Sequence, residues 1–234
     1  MDQGSGDEMR LDIVDLGTKH GNAISEFLGK GRQYLTKPES LLPKNCVGYE
    51  RPEGEEYRLI MEKKGFQFRV ADLANDLEIS LLPPAEVYLA WHFLEHVPNH
   101  DWARKLVIAS LRNSKQVAWF RLPSFQQDEV TGEGVLRNHG MRFTWTNWTG
   151  HPTPWTVQDC IASITEWTSQ HPGRSFELIV KPADRVRDMS DERVVPIGTP
   201  TNVNKYEPKY GPKPLSIKFS RPIIAAWEVI VRFK

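Results

Sequence analysis

The sequence predicts an α/β fold in three layers, with a mostly parallel seven-stranded sheet between helices and an antiparallel last strand. Three observations support this prediction. Short apolar segments alternate with stretches of helical periodicity, as in parallel sheets. Several early apolar segments end in acidic residues, which places carboxylates at one edge of the sheet. The final apolar segment follows another with no convincing helix between them, as in an antiparallel pair.

Hydrophobic periodicity defines the individual elements. The apolar segments predict seven strands, at residues 11–16, 46–50, 66–73, 85–91, 116–122, 176–180 and 223–231. Helical spacing predicts helices after Gly21 and at 53–64, 99–114 and 156–170, with Asn99 and Thr156 as caps of the last two. Residues 77–84 are expected to be a connector. A chain of 234 residues, of which 39% are hydrophobic, can build one core of this kind.

The remaining stretches define the domain organisation. Residues 1–10 are predicted to be a flexible tail, and residues 11–234 a single domain. Residues 123–155 are irregular and rich in aromatics, and residues 183–221 are rich in Pro, Lys and Arg. Long ordered loops are usually functional, so we expect these two insertions to cap a substrate pocket. Their aromatics can stack on a sugar or planar ring, or form a small core of their own.

The ends of the first four strands carry residues in a regular order. The first leads from Asp15 into a turn with Gly17 and Gly21, and the second and third end near Glu50 and Asp72. The fourth leads into residues 91–98, WHFLEHVP. As a set, these residues resemble the class I (Rossmann-like) S-adenosylmethionine-dependent methyltransferases, of the small-molecule type whose fourth strand runs into a Leu-x-His-Val-Pro turn. The resemblance implies a methyltransferase whose cofactor is S-adenosyl-L-methionine (SAM).

The same resemblance implies which residues hold SAM. Around its methionine part they are Asp15, Gly17, Thr18, Lys19, Gly21 and Asn22. Glu50 is expected to accept hydrogen bonds from the ribose hydroxyls, since one carboxylate can accept both. Asp72 and Leu73 are expected at the adenine, and Trp91 and His92 at the methyl-donating end. From the residues alone, Glu50 and Asp72 can equally be solvated acids or helix caps at strand ends.

Lys19 departs from the family pattern, which usually has glycine at this position. A side chain there restricts the conformations of the turn, and the G-x-G-x-x-G spacing of a dinucleotide site is missing. Beside the methionine carboxylate the ammonium would attract the cofactor, and beside the sulfonium it would repel it. The sequence leaves both arrangements open.

Three histidines are the candidate catalytic residues. Transfer to an oxygen is helped by a base whose pKa lies near the working pH, which favours histidine. His151, His92 and His96 are the candidates: His92 ends the fourth strand, and His151 lies where the aromatic insertion ends. The alternative for His96 is a structural role within its turn.

The sequence also limits the chemical classes of methyl acceptor. The turn after the fourth strand lacks the Asn/Asp-Pro-Pro-aromatic pattern that related enzymes use on base nitrogens, and neither cysteine follows a proline, as transfer to cytosine carbon five requires. The expected acceptor is therefore an oxygen or nitrogen of a small molecule or sugar. Two alternatives stay open: a non-catalytic binding or scaffold protein on this fold, favoured by Lys19, and a ribose methyltransferase that binds nucleic acid through basic residues between 205 and 221.

Composition excludes several classes of protein. The 30 basic and 30 acidic residues balance, which argues against nucleic acid as the partner. No apolar run approaches the ~20 residues of a membrane span and the start lacks a secretory pattern, so we expect a cytoplasmic protein. Cys46 and Cys160 are predicted to be buried thiols rather than a bridge. Cysteines and histidines do not fall at ligand spacings, so no metal site is predicted. The sequence does not define the oligomeric state.

Overall fold

Seven strands form the central sheet of the computed structural model, which describes residues 10–36 and 42–234. The described residues contain nine strands in all: β1 (Arg10–Leu16), β2 (Leu42–Glu50), β3 (Gln67–Val70), β4 (Ala85–Trp91), β5 (Ser114–Pro123), β6 (Met141–Phe143), β7 (Phe176–Asp188), β8 (Val194–Pro196) and β9 (Lys218–Phe233). Their order across the sheet is β3-β2-β1-β4-β5-β9-β7, while β6 and β8 pair separately. Neighbours in the sheet are parallel except in the two pairs that β9 forms, with β5 and with β7. The predicted fold class, including the antiparallel last strand, is confirmed.

Helices cover both faces of this sheet. They are α1 (Asn22–Lys30), α2 (Arg58–Lys63), α3 (Asp76–Ser80), α4 (His100–Asn113), α5 (Glu133–Arg137) and α6 (Val157–Gln170). One apolar cluster contains Leu106 of α4 and Ile164 of α6, and a second contains Phe27 of α1 and Met61 of α2. Adjacent residues of β1 belong to different clusters because successive side chains of a strand point to opposite faces. The result is the expected three-layer arrangement.

The two longest helices begin at the predicted caps. The side chain of Asn99 accepts a hydrogen bond from the Trp102 N–H at 3.1 Å. Thr156 and Asp159 form a reciprocal capping box, in which each side chain bonds to the other residue's backbone N–H. These contacts satisfy donors that the first turn of a helix leaves unpaired.

Several elements differ from the sequence prediction, among them β2, which begins at Leu42 rather than Cys46, and β3, which covers only Gln67–Val70. The helix expected at 53–64 is a 3₁₀ segment, Pro52–Tyr57, followed by α2, and it contains Gly54, a poor helix former. The expected connector at 77–84 contains most of α3, which Asn75 caps. β7 and β9 are longer than predicted, since their outer ends carry polar residues that resemble a loop.

The two predicted insertions fold together at the end of the sheet. β7 continues to Asp188 and β9 begins at Lys218, so both strands extend into the range expected as a loop, 183–221. With α5, β6 and β8 they share a third apolar cluster: Leu136, Met141, Phe143, Val186, Met189, Val194, Ile223 and Ala225. Phe143 and Trp145 stack within it at 4.2 Å, so part of the aromatic content forms a core of its own.

Other predictions fall at the margins of the fold. The predicted tail, residues 1–10, lies outside the described residues except for Arg10, which begins β1. Cys46 and Cys160 are buried, free thiols. Within the described ranges, the structure contains no helix with the length and apolar character of a membrane span.

Candidate functional site

Two cavities lie at the carboxyl edge of the parallel strands, where α/β sheets bind their ligands. The first, here called the histidine cavity, has a volume of about 540 Å³. Its wall includes Lys19, His92, Glu95, His96, Trp148 and His151. The second, the Asp72 cavity, has a volume of about 500 Å³ and is bounded by Asp72, Leu73, Phe93, Val97, Pro98 and Pro152. His96 lines both, so the two cavities adjoin at this side chain.

The turn after β1 is held by buried carboxylates. Glu50 is buried, and its two oxygens accept the backbone N–H groups of Lys19 at 3.2 Å and Arg51 at 3.0 Å. Asp15 is 1% exposed, and its Oδ2 has no hydrogen-bond partner. Burial raises the pKa of Asp15 to about 7, the Thr18 hydroxyl opposes this shift, and the Glu50 carboxylate adds to it. The resulting carboxyl is a protein group with spare hydrogen-bonding capacity beside the turn.

The glycines of this turn have the backbone that only glycine adopts easily. Gly17 has φ 70° and Gly21 has φ 66°. A Cβ on Gly17 would lie 2.2 Å from the Phe93 ring, so this glycine is packed against an aromatic side chain rather than facing an open cleft. Lys19 has φ 43°, so it keeps a left-handed backbone in spite of its side chain. That side chain lines the histidine cavity.

Only some of the expected cofactor residues line these two cavities. Lys19 and His92 lie on the histidine cavity, and Asp72 and Leu73 on the Asp72 cavity. The others line neither of these two cavities: Asp15, Gly17, Thr18, Gly21, Asn22, Glu50 and Trp91. Asn22, for instance, begins α1, and its side chain accepts a hydrogen bond from Lys64 at 3.0 Å.

The three candidate histidines converge in one place. The rings of His96 and His151 are 4.6 Å apart between centroids. His92 Nδ1 lies 3.7 Å from the Oε1 of Glu95, which is 1% exposed. His92 has φ 50°, a backbone conformation rare for a residue with a side chain, and such strain is found mostly at functional sites.

The protein environment keeps these imidazoles neutral. Burial, with smaller contributions from Arg121, His151 and Lys19, lowers the pKa of His92 to about 4, although its side chain is half exposed. Burial also lowers the pKa of His96 to about 4, and it lowers that of His151. The pKa of Glu95 is raised to about 8, again chiefly by burial. At neutral pH each ring therefore has one nitrogen with a free lone pair.

Charged side chains form the opposite wall of the histidine cavity. The Arg121 guanidinium lies 3.8 Å from the centre of the Trp91 ring and donates to Glu228 at 2.6 Å and to Glu26 at 2.9 Å. Arg193 from the second insertion also lines the cavity. Both insertions thus contribute side chains to its wall. That they cap a substrate stays a prediction.

Sequence reasoning missed Glu95 and Arg121 as cavity residues. Glu95 stands directly before His96 in the turn already assigned to the site, so its position was the available signal. Arg121 stands near the end of β5, and nothing in its local pattern separates it from an ordinary strand residue.

No family model and no curated protein matches this sequence. Solved structures share its fold at low identity. An O-methyltransferase family protein from Burkholderia thailandensis has TM-score 0.52 and 10% identity, over 96% of this chain and 50% of that one. A SAM dependent methyltransferase from Archaeoglobus fulgidus has TM-score 0.52 and 12% identity, over 96% and 86%. The small RNA methyltransferase HEN1 has TM-score 0.52 and 13% identity, over 97% and 24%.

The chain therefore spans half the length of the Burkholderia structure and most of the Archaeoglobus one. At 10–13% identity these similarities support a shared fold, and this fold agrees with the strand order and the antiparallel β9 described above. The protein has the fold of the class I methyltransferases.

Proposed function

We propose that this protein is a SAM-dependent methyltransferase that transfers a methyl group to an oxygen or nitrogen of a small molecule or sugar. The observation that carries this proposal is the pair of adjoining cavities at the carboxyl edge of a class I methyltransferase fold. The Asp72 cavity has walls suited to a nucleoside, and the histidine cavity carries groups able to hold an acceptor and its proton. Structures of two proteins described as SAM dependent or O-methyltransferases share the fold, which supports the proposal without deciding the acceptor.

The residues at the edge of β2 and β3 fit the nucleoside part of SAM. Leu73, Phe93 and Val97 give the Asp72 cavity apolar walls, while the Asp72 side chain is exposed at its rim. The Glu50 carboxylate accepts two backbone N–H bonds and has lone pairs to spare, since a carboxylate can accept about four. The unpartnered Asp15 Oδ2 is a further free acceptor near the same turn. Of these acceptors Asp72 lines the cavity and matches an amine or hydroxyl donor of the cofactor, whereas Glu50 and Asp15 are buried next to the turn.

Bound SAM would supply a methyl group on a positively charged sulfur. A lone pair of the acceptor would displace the sulfur from this carbon, and the electrons of the carbon–sulfur bond would remain on sulfur. Walls of the histidine cavity would hold the acceptor for this in-line displacement, and such positioning can contribute several kcal/mol. The acceptor's proton passes to an imidazole of this cavity, for which His151 and His92 are the assigned candidates.

A small acceptor fits better than nucleic acid. Side chains of both insertions line the histidine cavity, and its volume, about 540 Å³, is typical of small-molecule sites. The basic segment that would have to bind RNA is partly engaged within the protein: Lys213 is buried and donates to the Asp191 carbonyl, and Lys209 pairs with Glu207 at 2.7 Å. HEN1, whose structure shares the fold, is described as a small RNA methyltransferase, which keeps a ribose acceptor as the second candidate.

Calorimetric titration with SAM and its demethylated product, S-adenosylhomocysteine (SAH), tests the proposal. The unmodified protein should bind both. Asp72→Asn and Glu50→Ala should each weaken binding by about 1–3 kcal/mol, the value of hydrogen bonds to a charged group. Asp72 is exposed, so its variant separates lost binding from lost folding, whereas Glu50 also supports the turn. Glu62→Gln, an exposed change on α2, is the matched control.

The result that refutes the cofactor assignment is absence of binding by the unmodified protein. Unaltered affinity in both site variants would show that SAM binds elsewhere. Binding without methyl transfer to any member of a panel of hydroxyl, amine and carboxyl acceptors would favour the scaffold alternative.

A further inference from the structure

Glu95, His96 and His151 form a compact cluster of potential metal ligands in the histidine cavity. One ligand atom from each of the three lies within 4.8 Å of the other two. Glu95 and His96 belong to the 3₁₀ turn Leu94–His96 after β4, and His151 comes from the first insertion. The fold therefore joins residues 55 positions apart in the sequence, which is why spacing alone predicts no metal site.

Both histidines are oriented as metal ligands are. His96 Nδ1 is 2.7 Å from the Gly150 carbonyl, and His151 Nδ1 is 3.1 Å from the Trp145 carbonyl. A carbonyl can only accept, so each Nδ1 carries the hydrogen and donates it. In a neutral ring the lone pair is then on Nε2. A backbone carbonyl on the other ring nitrogen is the usual partner of a metal-binding histidine, since it fixes both tautomer and ring orientation.

Glu95 supplies an independent observation. Its side chain is 1% exposed, and its Oε2 has no hydrogen-bond partner. A buried carboxylate without a partner is costly and is normally paired with a cation. Lys19 lines the same cavity, but within the described residues its ammonium forms no ion pair with Glu95. The carboxylate thus has free acceptor capacity toward the two imidazoles.

We propose that Glu95, His96 and His151 bind one divalent transition-metal ion in the histidine cavity. Two imidazoles with one carboxylate suit Zn²⁺, Mn²⁺ or Fe²⁺, whereas Mg²⁺ and Ca²⁺ prefer oxygen ligands throughout. Ligands about 2.0–2.2 Å from a common ion lie at most about 4.4 Å apart, so small side-chain rotations close the site. Three protein ligands leave coordination positions open toward the cavity, as in metal sites that bind substrate.

The ion would give the histidines distinct roles. His96 and His151 use Nε2 as ligands, so neither accepts a proton. His92, whose Nδ1 lies 3.7 Å from Glu95 Oε1, remains beside the open positions as the proton acceptor. An oxygen of the acceptor would be a further ligand of the ion and would lose its proton more readily there. This role depends on the proposed methyl transfer, whereas binding of the ion does not.

Metal titration of the full chain, without SAM, tests the site. Protein stripped with a chelator and dialysed is titrated with Zn²⁺, Mn²⁺ and Mg²⁺ by calorimetry. We expect one equivalent of Zn²⁺ or Mn²⁺ to bind much more tightly than Mg²⁺ and to raise the melting temperature. Glu95→Gln and His151→Gln should each lower affinity at least tenfold. His139→Gln, at an exposed histidine outside the cluster, should leave it unchanged.

Two results would overturn the site. One is the absence of saturable binding by the unmodified protein, and the other is equal affinity in the unmodified protein and both cluster variants, which is the behaviour of adventitious surface binding. Melting curves of the metal-free variants identify any that fail to fold, and Glu95→Gln keeps the side-chain volume while removing the carboxyl group. A protein that binds Zn²⁺ but neither SAM nor SAH would retain this site and refute the proposed function instead.

Discussion

The ring of Phe93 lies directly over Gly17. A Cβ built on Gly17 would be 2.2 Å from Phe93 Cδ2 and 2.8 Å from its Cβ, much closer than carbon atoms approach one another. Phe93 is buried and also forms a wall of the Asp72 cavity. The turn after β1 and the turn after β4 are thus packed together at the point where the two cavities adjoin. Glycine at position 17 is required by this contact as well as by its φ of 70°.

Gly17→Ala should destabilise the protein by about 2–5 kcal/mol. The left-handed backbone contributes roughly 1–2 kcal/mol, and overpacking against Phe93 contributes a further ~1–3 kcal/mol. Urea unfolding at constant m-value measures the sum. In a Phe93→Ala background the ring contact is removed and only the Cβ contact at 2.8 Å remains, so Gly17→Ala should then cost less than in the unmodified protein. An identical cost in both backgrounds would show that Phe93 does not constrain this glycine.

The sheet was predictable because its signal is local and repeated. Each central strand is an apolar segment bounded by polar turns, and the caps Asn99 and Thr156 mark the starts of α4 and α6 in the sequence. The outer halves of β7 and β9 were missed for the opposite reason. They alternate between the third apolar cluster and solvent and include polar residues such as Arg185 and Lys218, so they resemble a loop.

The candidate site was predictable only along the strand ends. Positions such as Asp72 and His92 follow from the rule that parallel strands deliver residues to one edge. The contact between His96 and His151 depends on the path of the first insertion, which turns back so that the Gly150 carbonyl reaches His96. No periodicity encodes such a path. Burial of Glu95 likewise depends on the surrounding fold and not on its neighbours in the sequence.

Asp15 should make stability fall with rising pH. Burial raises its pKa to about 7, compared with 3.8 for an unperturbed carboxyl. Between these values the folded state holds a proton that the unfolded state has lost, so the contribution of Asp15 to the free energy of unfolding decreases from about pH 4 to about pH 7 and is constant above. Each unit of pKa difference corresponds to about 1.4 kcal/mol.

Asp15→Asn removes this penalty and keeps the shape of the side chain. The variant should therefore be more stable than the unmodified protein at pH 8, and the difference should shrink toward pH 4. Chemical unfolding at both values, with the exposed Asp72→Asn as control, measures it. A stability difference that does not change with pH would mean that Asp15 is ionised throughout.

Lys19 should weaken binding of SAM relative to SAH. Its side chain lines the histidine cavity together with His92 and His151, which is the side expected to face the methyl group. SAM carries a positive sulfur and SAH a neutral one, so the ratio of their affinities isolates repulsion by the ammonium. Like charges 4 Å apart repel by on the order of 1 kcal/mol in water.

Lys19→Gln should accordingly improve the ratio in favour of SAM by roughly fivefold, a free energy of about 1 kcal/mol. Lys64→Gln is the control, because Lys64 donates to the His20 carbonyl on the outer side of the same turn. An increase in affinity for both ligands would indicate a general effect on the turn. A fall in affinity for both would place the ammonium at the methionine carboxylate.

Substitutions of His92 and of His151 should have different effects on metal binding. If His92 accepts the acceptor's proton, His92→Asn should lower methyl transfer by ~10²–10⁴-fold, with affinity for SAM and for Zn²⁺ nearly unaltered. His151→Gln should lower transfer by a comparable factor but should also lose the metal ion, because it removes a ligand whose Nδ1 is already held by the Trp145 carbonyl. Single-turnover transfer to an acceptor identified from the panel, together with metal analysis of each variant, separates the two roles. If His151→Gln keeps its metal and loses only transfer, His151 is the base and the division of roles between these histidines is reversed.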